Sequence, residues 1–169
     1  MRKPKKLTTL LLVLTLVFAC AACGNGNSTT DSGKTISGTL PEIIDRLYDT
    51  VDVDDEQRDF LKNSVGTVEI PKDQSAYYFG VENLDFEEAV ASEPFINAIA
   101  FSVCLMRVKD GTDIDELKAE IRRSANPAKW ICVDVNPNDV RVESVGDLVL
   151  LIMADDSEKY SEAFYALAE

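Results

Sequence analysis

The spacing of apolar residues predicts helices in the first part of the chain after position 39. Thr39-Leu40-Pro41-Glu42 has the form of a capping box with proline in the first turn, so a helix is expected to begin there. Its apolar residues recur at helical spacing: Leu40, Ile43, Ile44, Leu47 and Val51. Shorter helices are predicted over 55–63 and over 85–93, where acidic residues stand at the N-terminal positions that favour them.

Two more helical patterns lie in the C-terminal half. The segment 113–125 follows a capping Thr112 and ends before Pro127, and Ser157 begins a last helix. Each carries one apolar stripe. The stripes are Ile114, Leu117 and Ile121 in the first helix, and Tyr160, Phe164 and Leu167 in the second.

Between these helices the pattern changes to that of strands. The long apolar run 97–109 is predicted to be a central strand buried on both faces. Strands are also predicted over 76–81 and 148–153, and a hairpin from 130–135 and 140–145. The order after residue 97 predicts an α+β fold, in which several helices cover a mainly antiparallel sheet. One small domain is expected to span residues 39–169.

The N-terminal residues have the three zones of an export signal. A basic start is followed by an apolar stretch from Leu7 to Phe18 and by small residues before Cys23. We expect cleavage after residue 22 and lipidation of Cys23; Cys20 is the rival position, but bulky Phe18 fits it less well. The alternative is an uncleaved membrane helix, although the apolar stretch of about 16 residues is short against the roughly 20 that span a bilayer.

The residues after Cys23 read as a tether. Gly, Asn, Ser and Thr dominate residues 24–38 without an apolar period, which predicts a flexible linker. A linker of about 15 residues reaches roughly 20 Å, enough to hold the domain clear of lipid headgroups. The expected location is therefore the outer, extracytoplasmic face of the cell membrane, with the lipid as the anchor.

Charge and composition exclude several classes of function. From Cys23 onward, thirteen basic and thirty acidic residues give a net charge of −17, which disfavours binding to nucleic acid or to an anionic bilayer. The chain has no histidine, so the usual Ser-His-Asp and Cys-His mechanisms and imidazole metal sites are absent. No phosphate-binding glycine loop or hydrolase motif is present either. No cofactor is predicted.

Three residues are candidates for a binding surface. Tyr78 and Trp130 are aromatic, and Lys129 adds a cation beside the tryptophan. A strand at 76–81 would turn Tyr78 away from Tyr77 and would expose one side of the strand. The competing interpretation is that these aromatic side chains pack in the core.

The other candidate chemistry is explained by ordinary structure. Cys104 and Cys132 could form a disulfide, but both lie in predicted strands, and buried free thiols are the expected state. The acidic run from Asp52 to Asp59 lacks the glycine and glutamate that a calcium loop requires at its sixth and twelfth positions. Helix capping explains that run, so no metal site is predicted.

Several short segments resemble the DUF4358 family of small bacterial lipoproteins of unknown function. They are Tyr78-Phe79-Gly80, Ala91-Ser92-Glu93-Pro94, Val108-Lys109-Asp110-Gly111, Lys129-Trp130-Ile131-Cys132-Val133 and Gly146-Asp147-Leu148-Val149. The resemblance covers roughly Leu40 to Leu167 and implies a surface-attached domain in a Gram-positive cell. It supplies no catalytic residues.

These observations predict a non-enzymatic surface module that binds a protein or another component of the envelope. The alternative is a lipoprotein that binds a small ligand or a cation. An enzyme would need carboxylates, or a Cys, Lys or Tyr, placed in a cleft.

Overall fold

A computed structural model describes residues 33–169 of the chain. The predicted signal (1–22), the lipidation site Cys23 and most of the tether (23–38) lie outside these residues. Within the described part, no helix is both long and apolar enough to cross a membrane.

The described residues form five helices, five strands and two short 3₁₀ turns. The helices are α1 (Leu40–Thr50), α2 (Asp55–Asn63), α3 (Ser75–Phe79), α4 (Ile114–Ser124) and α5 (Ser157–Ala166). The strands are β1 (Val65–Glu69), β2 (Phe86–Pro94), β3 (Ser102–Val108), β4 (Val140–Val145) and β5 (Leu148–Met153). They make one sheet in the order β1-β2-β3-β5-β4, in which every pair is antiparallel. The predicted α+β class is confirmed.

The sheet separates two hydrophobic cores. On one face α1, α2 and α5 pack on inward-facing strand residues such as Val103 and Leu105. On the other face α3, α4 and the segment around Trp130 pack on residues such as Cys104 and Met106. Strand residues therefore alternate between the two cores, which explains why β3 and β5 are apolar on both sides. The predicted two-faced burial of the central strand is correct for β3.

Two predicted elements have the wrong type. Residues 76–81 were expected to be a strand, but the short helix α3 occupies most of this segment and ends at Gly80, with φ +76°. A side chain at Gly80 would collide with the backbone at Ser124, so contact with α4 decides this conformation. Residues 85–93 were expected to be a helix, but β2 occupies them between β1 and β3. Pairing with two neighbouring strands overrides the local preference there.

Of the other predicted strands, one has the wrong extent and one does not form. The strand expected over 97–109 begins only at Ser102, and residues 95–101 form a loop. The segment 130–135 is irregular, and β4 pairs with β5 through the Gly146-Asp147 turn. Sequence patterning missed this because the apolar residues of both loops have strand composition without strand partners.

The fold also begins earlier than residue 39. The backbones of Thr35 and Glu169 exchange two hydrogen bonds of 3.2 and 3.1 Å, and Ile36 is buried in the core beneath α1. The last residues of the predicted tether are thus packed. They lie beside the Gly146 turn, near the C-terminal end of β3, where Arg107 bonds the Gly38 carbonyl. We call this end of the sheet the entry end, and the opposite end, which carries loop 95–101, the loop end.

Candidate functional site

The ammonium group of Lys129 lies in the interior at the loop end. Only 3% of the Lys129 side chain is exposed, and its Nζ lies 2.5 Å from Oε1 of Glu93. The same nitrogen donates to the Ser102 hydroxyl at 3.2 Å, and that hydroxyl donates to the Glu93 carboxylate at 2.7 Å. Lys129, Glu93 and Ser102 therefore form a closed triangle of polar groups, which satisfies the buried charge.

Three aromatic rings surround this ammonium group. Its distances to the ring centres are 4.9 Å for Tyr77, 5.4 Å for Tyr78 and 5.4 Å for Trp130. Rings within about 6 Å of a cation attract it through their negative faces. The two tyrosine rings also contact each other edge to face, at 4.9 Å between centres. We call the six residues Tyr77, Tyr78, Glu93, Ser102, Lys129 and Trp130 the lysine cluster.

The helical conformation of α3 brings the two tyrosines together. Successive residues of a strand point to opposite faces, whereas successive residues of a helix differ by about 100°. Tyr77 and Tyr78 can therefore both flank Lys129. The expectation that Tyr78 turns away from Tyr77 is wrong, and the reason is the misassigned strand.

The three candidate binding residues meet, but mostly in the interior. Trp130 is 8% exposed and Lys129 is buried, so neither presents a free surface. Glu93, the charge partner of Lys129, was not identified from the sequence, where it appeared only as the end of a helix. The signal that could have identified it is an acidic residue directly after the apolar stretch Ala89-Val90-Ala91.

The two cysteines have different environments. Cys104 is buried beside the lysine cluster, its Sγ 3.4 Å from the Ser102 hydroxyl, and burial raises the pKa of its thiol to about 11. Cys132 is free and exposed, in a left-handed conformation with φ +62°. The prediction of a buried free thiol is therefore correct for Cys104 and wrong for Cys132, because the strand expected at 130–135 does not form.

Large apolar side chains are exposed above the lysine cluster. The exposed fractions are 74% for Phe95, 64% for Ile96, 62% for Ile131 and 49% for Tyr77. Soluble proteins rarely group such side chains without a binding role. We call these four residues the apolar loop surface.

Backbone contacts hold this surface in place. The amide of Ile131 donates to the carbonyl of Asn97 at 3.0 Å, which joins loop 95–101 to the irregular segment around Trp130. The Phe95 ring lies over Gly66 of β1, so closely that an added Cβ would stand 2.6 Å from it. Glu93 precedes loop 95–101 and Lys129 precedes Ile131, so their ion pair also joins the bases of the two loops.

A cavity of about 310 Å³ opens near the same end of the sheet, with Phe60, Phe101 and Tyr160 among its lining residues. Several of its polar groups pair with one another. Gln57 donates to the Tyr160 hydroxyl at 3.1 Å, and Lys159 pairs with Asp156 at 3.0 Å. This cavity therefore offers few unused polar groups to a ligand.

Two of the aspartates in the predicted acidic clusters cap helices. Asp54 accepts the Gln57 amide at 2.8 Å at the start of α2, and Asp113 accepts the Glu116 amide at 3.0 Å at the start of α4. Across residues 33–169, no three cysteine, aspartate or glutamate side chains are placed to hold a metal ion.

Comparisons with family models, with curated proteins and with solved structures gave no match for this chain.

Proposed function

We propose that this protein is a lipid-anchored extracytoplasmic module that binds another protein of the cell envelope through the apolar loop surface. The observation that carries the proposal is the exposure of Phe95, Ile96 and Ile131 on two loops braced from beneath. Burying such side chains against a partner stabilises a complex by roughly 25 cal/mol per Å² of apolar surface. The contacts that hold the two loops in place also favour binding, because a preorganised loop loses little entropy when it binds.

The position of the surface favours a partner over the bilayer. The chain enters the domain beside Gly146 at the entry end, whereas Phe95 follows β2 at the loop end. Strands of this length separate the two ends by roughly 20 Å. A tether that enters at one end leaves the other end free to meet a protein.

The net charge of the chain also favours a protein partner over the bilayer. A net charge of −17 beyond residue 22 repels anionic lipid headgroups, which would oppose insertion of the loops into the membrane. It attracts a partner whose apolar contact area is rimmed by lysine and arginine.

The anchor belongs to the same proposal. The signal pattern before Cys23, the tether and the resemblance to the DUF4358 lipoproteins support it. Two acyl chains on this cysteine would give stable attachment, where a single chain is marginal. Mass spectrometry of the native protein should find an N-terminal residue 23 carrying acyl mass; an unprocessed N-terminus would contradict the anchor.

Site-specific photo-crosslinking tests the binding surface. A photoreactive amino acid in place of Ile96 in the full-length chain should yield a discrete protein adduct in native cells. The same substitution at exposed Asp110, near the entry end, is the matched control. Adducts with lipid alone, or equal adducts from both positions, would contradict the proposal.

A further inference from the structure

The strand β1 forms one edge of the sheet and pairs only with β2. The amide of Ile70, the residue after β1, donates to the Ala89 carbonyl at 2.8 Å. Because alternate residues of an antiparallel strand direct their backbone groups to opposite sides, the even-numbered residues of β1 bond β2. The odd-numbered residues direct their N–H and C=O groups away from the sheet. They are Val65, Thr67 and Glu69.

This outer edge of β1 is open. None of the three outward-facing residues has a backbone hydrogen bond to another group within residues 33–169. Natural proteins usually protect such an edge with a proline, a lysine, a bulge or a covering segment. β1 contains neither proline nor lysine, and its pairing with β2 is regular throughout. The edge therefore has backbone donors and acceptors available for a further strand.

A groove lies beside this edge, between β1 and the helices α1 and α2. Its volume is about 540 Å³, and Val65 and Thr67 line it from the strand. Leu61 adds an apolar side chain from α2. A strand added to β1 would direct every second side chain into this groove, because directly paired residues of neighbouring strands point to the same face. We call it the edge groove.

The charge of the edge groove determines which side chains fit it. Asp45 and Asp49 reach the groove from α1 and Lys62 reaches it from α2, so its net charge is negative. A lysine or arginine on the added strand would lay its aliphatic stem on Leu61 and direct its charge to the aspartates. A second copy of this chain is disfavoured as the occupant, because each copy carries a net charge of −17 beyond residue 22.

We propose that the outer edge of β1 binds an extended segment of a partner protein that has lysine or arginine at every second position. Main-chain hydrogen bonds to Val65, Thr67 and Glu69 would supply affinity, and the basic side chains in the edge groove would supply specificity. This surface is separate from the apolar loop surface, and the proposal does not depend on the binding role of that surface.

Amide hydrogen exchange of the full-length chain in neutral detergent, followed by NMR, tests this edge. Without peptide, the outward amides of Val65, Thr67 and Glu69 should exchange at least about tenfold faster than the amides of Gly66 and Val68, which face β2. The peptide acetyl-VKVKVKV-amide should slow the three outward amides at least about tenfold and leave the other two unchanged. Outward amides that are already protected without peptide, or no slowing at about 1 mM peptide, would overturn the proposal.

Two methylated peptides form a matched pair. The lysines would lie opposite Val65 and Thr67 with their own amides facing β1, whereas the valine amides would face away from it. N-methylation of the three lysines should therefore weaken binding at least about tenfold, and N-methylation of three valines should change it by less than about twofold. Equal binding of the two methylated peptides would mean that charge alone attracts them, and would overturn the proposal.

Two variants of the chain test the same bonds from the other side. Thr67→Pro removes one outward amide and no bond to β2, and proline is tolerated at such positions of edge strands. It should weaken binding of the unmethylated peptide about tenfold, whereas Thr67→Val keeps the amide and should bind as the original chain does. Slow exchange of Gly66 and Val68 checks that β1 still pairs with β2 in both variants. Equal binding by the two variants would contradict the proposal. The Ile96 crosslink should be unchanged in both.

Discussion

The two ends of the sheet satisfy their charges in opposite ways. At the entry end Arg107 donates to Glu88 at 3.0 Å and to Asp147 at 2.7 Å, and both carboxylates are about half exposed. At the loop end the Lys129–Glu93 pair lies inside, and apolar side chains stand in water above it. The usual distribution, with charge outside and apolar groups inside, is therefore reversed at the loop end.

This difference separates two uses of an ion pair. A surface pair contributes little to stability, because water and salt screen it. A buried pair is costly to assemble and more costly to break, yet it fixes geometry strongly. We infer that the Lys129–Glu93 pair holds the two loops in position, whereas the Arg107 contacts fasten the entering chain.

Breaking the buried pair should have the largest effect. Lys129→Met leaves the Glu93 carboxylate without its cation and removes the centre of the aromatic group. We expect the free energy of unfolding to fall by about 3 kcal/mol. Urea denaturation measures it.

A second substitution provides the control. Adding Glu93→Gln to Lys129→Met removes the unpaired charge and should recover part of the loss. If Lys129→Met alone lowers the free energy of unfolding by less than about 1 kcal/mol, the buried pair behaves like a surface pair. The contrast between the two ends would then fail.

The alkylation rates of the two cysteines should show how accessible the interior beside the lysine cluster is to solvent. Iodoacetamide at pH 8 should modify exposed Cys132 at least about a hundredfold faster than buried Cys104, because the thiolate is the reactive form. Peptide mapping by mass spectrometry separates the two sites. Comparable rates would indicate that the cluster opens readily.

The same thiol predicts a pH effect on stability. The pKa of Cys104 rises from its ordinary value of 9.0 to about 11 in the folded chain. Below pH 9 both states keep the proton, so the contribution of Cys104 to stability is complete. As the pH rises from 9 towards 11, the unfolded chain loses the proton first and the free energy of unfolding falls. Cys104→Ala should remove this part of the alkaline loss.

At the entry end the expected effect is smaller. Arg107→Ala should lower the free energy of unfolding by about 1 kcal/mol, since its carboxylate partners are half exposed. Added salt should reduce the difference between this variant and the original protein, while the Lys129→Met difference should persist. Equal salt dependence of the two variants would argue against the proposed contrast.

Much of the fold follows from local pattern, and the errors share one cause. Helices α1, α4 and α5 and strands β4 and β5 were predicted because each has a clear period and a clear stop. The failures at 76–81 and 85–93 are segments whose conformation depends on distant contacts, with Ser124 in one case and with β1 and β3 in the other. The local sequence does not indicate which distant residues a segment will contact.

The candidate site could be predicted only in part, because its residues also come from distant segments of the chain. Tyr78, Lys129 and Trp130 were identified by residue type, and they do lie together. Their partner Glu93 lies in a segment assigned to a helix, and the exposed Phe95 lies between two predicted elements and was assigned to neither. The sequence therefore identified three residues of the lysine cluster. It did not indicate that they lie beneath the apolar loop surface and are not part of it.

The smallest change in stability should come from the apolar loop surface itself. Replacing Phe95, Ile96 and Ile131 together with serine removes little buried area, because each side chain is more than 60% exposed. We expect the free energy of unfolding to change by no more than about 0.5 kcal/mol per site. Urea denaturation, measured as for Lys129→Met, checks this value.

Binding to the partner, unlike stability, should be lost in the triple serine variant. A photoreactive residue at Ile99, which is 38% exposed on loop 95–101 and lies outside the lysine cluster, should lose its protein adduct in the triple serine variant while the domain stays folded. Val68→Ser is the matched control, since Val68 is 52% exposed on β1 and lies outside the surface. An adduct that survives the triple replacement, or that disappears with Val68→Ser, would show that exposure at the loop end does not mark the binding site. A loss confined to the triple variant would separate the residues that bind from the buried pair that positions them.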